Sequence, residues 1–154
     1  IKQFFKFLEK KEDRKIPLRV KISNPRDFKL SPEDLDVKGN LNLFRTNITS
    51  LPNNLTIKGS LFLMTTPIQS LPNNLEVGGS LHLQFTPIQS LPNNLEVGED
   101  LWLNGTSIKL LPGDLKVGGS LYINRTPLAK NYTEGQIRSM VEEKGGYIEK
   151  SIYI

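Results

Sequence analysis

Cysteine is absent from the 154 residues, and histidine occurs once. Without cysteine there is no disulfide framework, no thiolate nucleophile and no Cys-based metal site. That composition suits a reducing compartment. The single histidine, His82, lies at a variable position of a repeat, and the serines near it recur as repeat features rather than as a triad partner. No apolar run approaches the roughly 18 residues of a membrane span. No glycine-rich loop leads into a helix to cradle a phosphate. The carboxylates Glu76 and Glu96 share one repeat column, flanked by Thr56 and Lys116, and read as a solvated face rather than an acid–base pair. These absences leave no catalytic constellation, no metal site and no cofactor, so a non-enzyme is expected.

Charge is present but uneven. Residues 1–30 hold ten Lys/Arg against four Asp/Glu, a net +6, whereas residues 31–154 hold ten against twelve, a net −2, so the basic character of the +4 chain belongs to the amino-terminal end. Lys10, Lys11, Arg14 and Lys15 would make a nucleic-acid contact if that segment is functional. The plainer reading is the solvated face of a capping helix. The first residue is Ile1, which reads as a trimmed start that could have followed a leader.

What fills the chain is a repeat. Five units at 31–50, 51–70, 71–90, 91–110 and 111–130 share the pattern L-P-x-x-L-x-V-x-G-x-L-x-L-x-x-T-x-I-x-x. A period of this size means a stacked array, because one unit cannot bury its apolar side alone. Leu61-Phe62-Leu63 and its counterparts alternate apolar, variable, apolar, the sign of a strand. Stacked units would place these strands side by side and parallel, and Leu55-Thr56-Ile57 offers a second, shorter extended piece. Glycines 39, 59, 79 and 119 read as positive-φ turn residues, with Glu99 breaking that column. Threonine stands at 46, 66, 86, 106 and 126 in every unit, where its hydroxyl can hold a bend by bonding the backbone.

Leu81-x-Leu83-x-x-Thr86-x-Ile88, led by Leu71-Pro72-x-x-Leu75, resembles the leucine-rich repeat, in particular the short bacterial type of secreted effectors and some phage-encoded proteins. The resemblance covers residues 31–130. It implies a mainly parallel β repeat solenoid and a protein-binding role. Threonine replaces the family's usual Asn, and the Val-x-Gly segment lengthens the approach to the strand, so a flatter β-solenoid stays open beside the family's curved form. Related effectors carry a ligase domain with a Cys nucleophile, and this chain has neither.

Both ends read as caps. Residues 1–30 are expected to hold a basic helix (Ile1, Phe4, Phe5, Leu8) and a degenerate first coil, with Leu18-x-Val20-x-Ile22 as its strand and Phe28 standing for Ile48. Residues 131–154 are expected to hold one helix, opened by a Thr133/Gln136 capping box and stopped at Gly145-Gly146, and then a last coil. There Ile148 stands for Val117, Ile152 for Leu121 and Tyr153 for Tyr122. With two caps the array is expected to be complete and to form a single domain.

If the leucines either side of a strand's middle residue point inward, the middle residue points out. That column reads Asn42, Phe62, His82, Trp102, Tyr122 and Tyr153; the next reads Phe44, Met64, Gln84, Asn104 and Asn124; a third adds Arg45, Phe85 and Arg125. Aromatics and Arg dominate binding hot spots, although stacked aromatics also stabilise a sheet with no ligand. The expected partner-binding set is Phe62, His82, Trp102, Tyr122, Tyr153, Phe44, Met64, Phe85 and Arg125. The expected partner is another protein. Nucleic acid on the basic segment and carbohydrate on the aromatic stripe are the alternatives. The resemblance implies a phage- or bacterium-encoded inhibitor or adaptor, monomeric or weakly oligomeric, acting in a bacterial or infected-host cytoplasm or secreted as an effector. Five Asn-x-Ser/Thr triplets occur, at 47, 54, 104, 124 and 131; the repeat places Thr106 and Thr126 for its own reasons, so the triplets are weak evidence of secretion.

Overall fold

A computed structural model describes residues 2–5, 7 and 15–154. Each 20-residue unit makes one coil of a β-solenoid and gives one two-residue strand to each of two sheets. The first sheet is built from β1 (Asp36–Val37), β3 (Thr56–Ile57), β5 (Glu76–Val77), β7 (Glu96–Val97), β9 (Lys116–Val117) and β11 (Tyr147–Ile148). The second is built from β2 (Leu41–Asn42), β4 (Leu61–Phe62), β6 (Leu81–His82), β8 (Leu101–Trp102), β10 (Leu121–Tyr122) and β12 (Ile152–Tyr153). Every pairing is parallel and in register, Leu61 over Leu81 and Leu81 over Leu101. The donors run coil to coil, from Leu61 N to Ser80 O and from Leu81 N to Asp100 O, both 2.9 Å.

The alternation of the strands sorts their side chains. Leu61, Leu63, Leu81, Leu83, Leu101 and Leu103 are fully buried and meet Ile57, Leu55 and Ile68 and their counterparts in one continuous core. The bend after the second strand is held as its threonines suggested. Oγ1 of Thr46, Thr66, Thr86, Thr106 and Thr126 donates to the carbonyl three residues back at 2.7–2.8 Å. The same carbonyls also accept the Thr46, Thr66, Thr86 and Thr106 backbone N–H groups.

Two backbone expectations are corrected. The glycines at 39, 59, 79 and 119 do not have positive φ. Gly79 is needed because coils pass close at that corner: a Cβ there would lie 2.6 Å from Ser60 Oγ and 2.8 Å from the Gly59 carbonyl carbon. Glu99 therefore carries no left-handed strain. The left-handed residues are instead the one before each threonine (Arg45, Thr65, Phe85, Gly105, Arg125) and the second asparagine of Asn-Asn (Asn54, Asn74, Asn94). Asparagine tolerates that region by bonding its own backbone locally.

The ends are capped by short helices. Leu18–Ser23 is helix α1, not a strand. Leu18 and Ile22 are one helical turn apart as well as alternate, and both pack on the core, while Pro17 at φ −58° leads in. No strand forms in residues 15–31, so the expected strand over residues 18–22 is replaced by helix. A 3₁₀ turn at Pro32–Leu35 opens that repeat instead, with a Ser31/Asp34 capping box, and the Lys21–Asp34 ion pair at 2.9 Å ties α1 to it. The Asp34 carboxyl is raised by burial, but the Ser31 backbone donor and Lys21 outweigh this and hold it below its ordinary value. Of the amino-terminal apolar set, Ile1 and Leu8 lie outside the described residues. Phe4 and Phe5 are helical, and Phe5 packs edge-on to Phe28 at 6.4 Å.

At the other end helix α2 (Pro127–Asn131), capped by Thr126, was not foreseen. Helix α3 (Glu134–Glu142) has the expected Thr133/Gln136 box, and the last coil pairs as aligned, Ile148 on Val117, Ile152 on Leu121 and Tyr153 on Tyr122.

The shared bend predicts that Thr86→Val, which keeps volume but loses the hydroxyl, lowers stability by about 1–2 kcal/mol, with Thr86→Ser costing less. Urea denaturation is the measure. A valine variant with an unchanged midpoint would remove the hydroxyl from this role.

Candidate recognition face

The second sheet presents the variable residues outward. In-register pairing brings Phe62, His82, Trp102, Tyr122 and Tyr153 into one column, and their rings stack. Centroids are 4.6 Å apart for Phe62–His82, 5.7 Å for His82–Trp102, 3.6 Å for Trp102–Tyr122 and 4.5 Å for Tyr122–Tyr153, with interplanar angles of 13° or less. Parallel strands repeat at about 4.8 Å, somewhat more than the thickness of a ring, so rings at equivalent positions stack with some tilt or offset. The first four rings are half-buried and Tyr153, on the last strand, is exposed. No ring of the column is buried among the leucines.

This stack has a chemical consequence. His82, Trp102 and Tyr122 each have a stacked ring on either side, which turns their edges toward solvent. Ring edges are the positive part of the aromatic quadrupole, and the indole N–H and phenol O–H groups are hydrogen-bonding handles.

The neighbouring column, Phe44, Met64, Gln84, Asn104 and Asn124, is half-buried and passes from apolar to amide along the solenoid. Asn104 Nδ2 donates to Asn124 Oδ1 at 2.7 Å, and Asn124 Nδ2 donates to the Ile154 carbonyl at 2.6 Å. The carbonyl oxygens of Gln84 and Asn104 are buried without a protein donor. The third column is the left-handed one. Its direction was open in the sequence; Arg45, Phe85 and Arg125 all prove exposed. Arg45 lies over the Phe44 ring at 4.9 Å. At φ 58°, Phe85 carries strain of about 1–2 kcal/mol.

Charge is kept to the borders of this face. Asp100 and Glu99 stand at the corner before the strand, with Asp100 Oδ1 accepting Ser120 N at 2.8 Å. That bond belongs to a row the sequence reading missed. Asn40, Ser60, Ser80 and Asp100 each accept the backbone N–H of the next coil, at 2.7–3.3 Å. Its signal was the small polar residue at every one of these positions. Burial pushes the Tyr122 hydroxyl above its ordinary value, and the Asp100 charge adds to this.

The other expected contacts lie elsewhere. Lys10, Lys11 and Arg14 fall outside the described residues, and Lys15 is exposed near the amino-terminal cap. Glu76 and Glu96 are exposed on the first sheet, beside a shallow groove of about 270 Å³ that Lys116 and Tyr147 also line, and Lys116 pairs with Glu96. Among the described residues no group of three His, Asp or Glu side chains converges, and no helix is long and apolar enough to cross a membrane.

His82 makes the stack sensitive to pH. Burial between the Phe62 and Trp102 rings lowers its pKa from the ordinary value, and the Asp100 charge only partly opposes this. The folded chain thus binds the proton less well than the unfolded chain does. Stability should be full above about pH 6.5 and fall as pH drops below it. His82→Phe, which removes the only imidazole, should flatten urea midpoints between pH 7.5 and 5. An equal slope in both proteins would refute this. No family model matches the chain, and comparison with curated proteins and with solved structures finds no similar one.

Proposed function

We propose that this chain is a non-catalytic protein-recognition module of the leucine-rich-repeat kind, and that the second sheet is its working face. The observation that carries the reading is the unbroken column of five rings on an open sheet, flanked by the exposed Phe85 and bordered by charge only at its rims. Invariant residues of the repeat are spent on the core and the bends, so the varied residues are those that differ in use. Protein partners favour such a surface because aromatic edges and polar tips offer large contact area at small entropic cost. In a bacterial or phage setting, which the Leu-Pro-x-x-Leu repeat supports, the role is that of an inhibitor or adaptor acting on a host protein in the cytoplasm.

Ring stacking contributes about 0.2–1 kcal/mol per pair to the sheet itself, so binding and stability must be read separately. Affinity capture from the native host should recover a partner, and Trp102→Ala with Tyr122→Ala should abolish recovery while circular dichroism at 20 °C stays unchanged. Trp102→Phe keeps the stack and removes the indole N–H, and should weaken capture without moving the melting temperature by more than a few degrees. Undiminished capture by the double variant would reject this face.

A further inference from the structure

The left-handed border column holds a phenylalanine that neither burial nor backbone preference explains. Phe85 stands at φ 58°, where a bulky side chain is rare, and it is 59% exposed. The next coil holds its ring. A Cβ on Gly105 would lie 2.7 and 2.8 Å from Phe85 Cδ1 and Cε1, so the ring rests on the bare backbone of that glycine with its other side open. An aromatic held in place before contact saves the ordering cost of binding.

One coil beyond Gly105 the column continues with Arg125, exposed and also left-handed. Arg125 and Lys130 line an open depression of about 720 Å³ with apolar walls from Pro127, Ala129 and Ile154. Four described cations pair with acids: Lys21 with Asp34, Lys38 with Asp36, Lys116 with Glu96 and Arg138 with Glu134. Arg125 and Lys130 form no ion pair among the described residues. Two unpaired cations around an apolar floor complement a carboxylate on an apolar chain. A nucleic-acid strand would need open ring faces for its bases, and the inner rings of the ladder already stack on one another.

We infer that an extended acidic segment of a partner protein docks along this border, with an apolar side chain on the open side of Phe85 and an Asp or Glu carboxylate between Arg125 and Lys130. This rests on the second sheet being the recognition face and adds the chemistry of what lies at its edge. Phe85 and Arg125 are two coils apart, about 10 Å at the ~4.8 Å strand repeat, which an extended chain spans in about three residues. The recognised pattern is therefore an apolar residue two to four positions from a carboxylate.

A random dodecapeptide library displayed on phage, selected on the immobilised full chain, tests this. Enriched peptides should carry Asp or Glu within about four positions of an aliphatic or aromatic residue, by the same spacing. Their affinity should fall at least about tenfold for Arg125→Glu with Lys130→Glu. Phe85→Asn should also weaken them, while its melting temperature holds or rises because asparagine accepts the left-handed backbone. Enrichment without acidic residues, no enrichment, or full affinity for the charge-reversed variant would each overturn the proposal. So would tighter binding of a short oligouridylate that the same reversal abolishes. Peptides that ignore the reversal but are lost on Trp102→Ala leave the face standing without its acidic partner. Peptides indifferent to both substitutions defeat both readings.

Discussion

Every feature of this molecule depends on the in-register backbone ladder between successive coils. Parallel pairing sets residue n over residue n + 20, at two sheets and at the corners between them. Whatever chemistry a position has is repeated along the axis, so a side chain's first neighbour is its own counterpart. Leucine over leucine gives a continuous core. A small polar residue over the next backbone N–H gives a row of side-chain bonds. Where the counterparts are alike in charge, as Glu76 and Glu96 are, the ladder forces together groups that repel. Lys116 then relieves the end of that row by pairing with Glu96.

The same constraint shapes the aromatic column. Rings one strand repeat apart cannot avoid stacking, so their faces serve the fold and only edges and polar tips remain outward. Binding by such a surface depends on shape, on N–H and O–H groups and on ring edges. His82 places a titratable ring within a row whose other members are neutral, so the stack responds to acid through that residue alone.

Phe85 shows the opposite case, a residue out of keeping with its column. Its counterparts are Arg45, Thr65, Gly105 and Arg125, and its neighbour Gly105 is the one residue of that column without a side chain. The pair works as a ring and its shelf, and the backbone strain at Phe85 persists because the surrounding coils over-determine the turn.

The period of 20, the inward leucines, the threonine bends and the alignment of 147–154 with the last regular coil could all be read from the chain, because each is a local pattern whose meaning does not depend on distant residues. The outward direction of residues 62, 82, 102 and 122 followed from strand alternation alone. Other features were not legible. Leu18–Ile22 fits a strand and a helical turn equally well, and contact with the core chose the helix. The glycines at 59, 79 and 119 resemble turn residues, yet close passage of coils, which no single unit contains, is what favours them. That the rings stack and lose their faces, and that Phe85 lies on Gly105, was decided by distances between coils. The sequence by itself determined the repeat and which side chains point out; only the tertiary structure decided what those side chains touch, because each neighbour lies on another coil, twenty residues away in the regular array and thirty-one at the last coil.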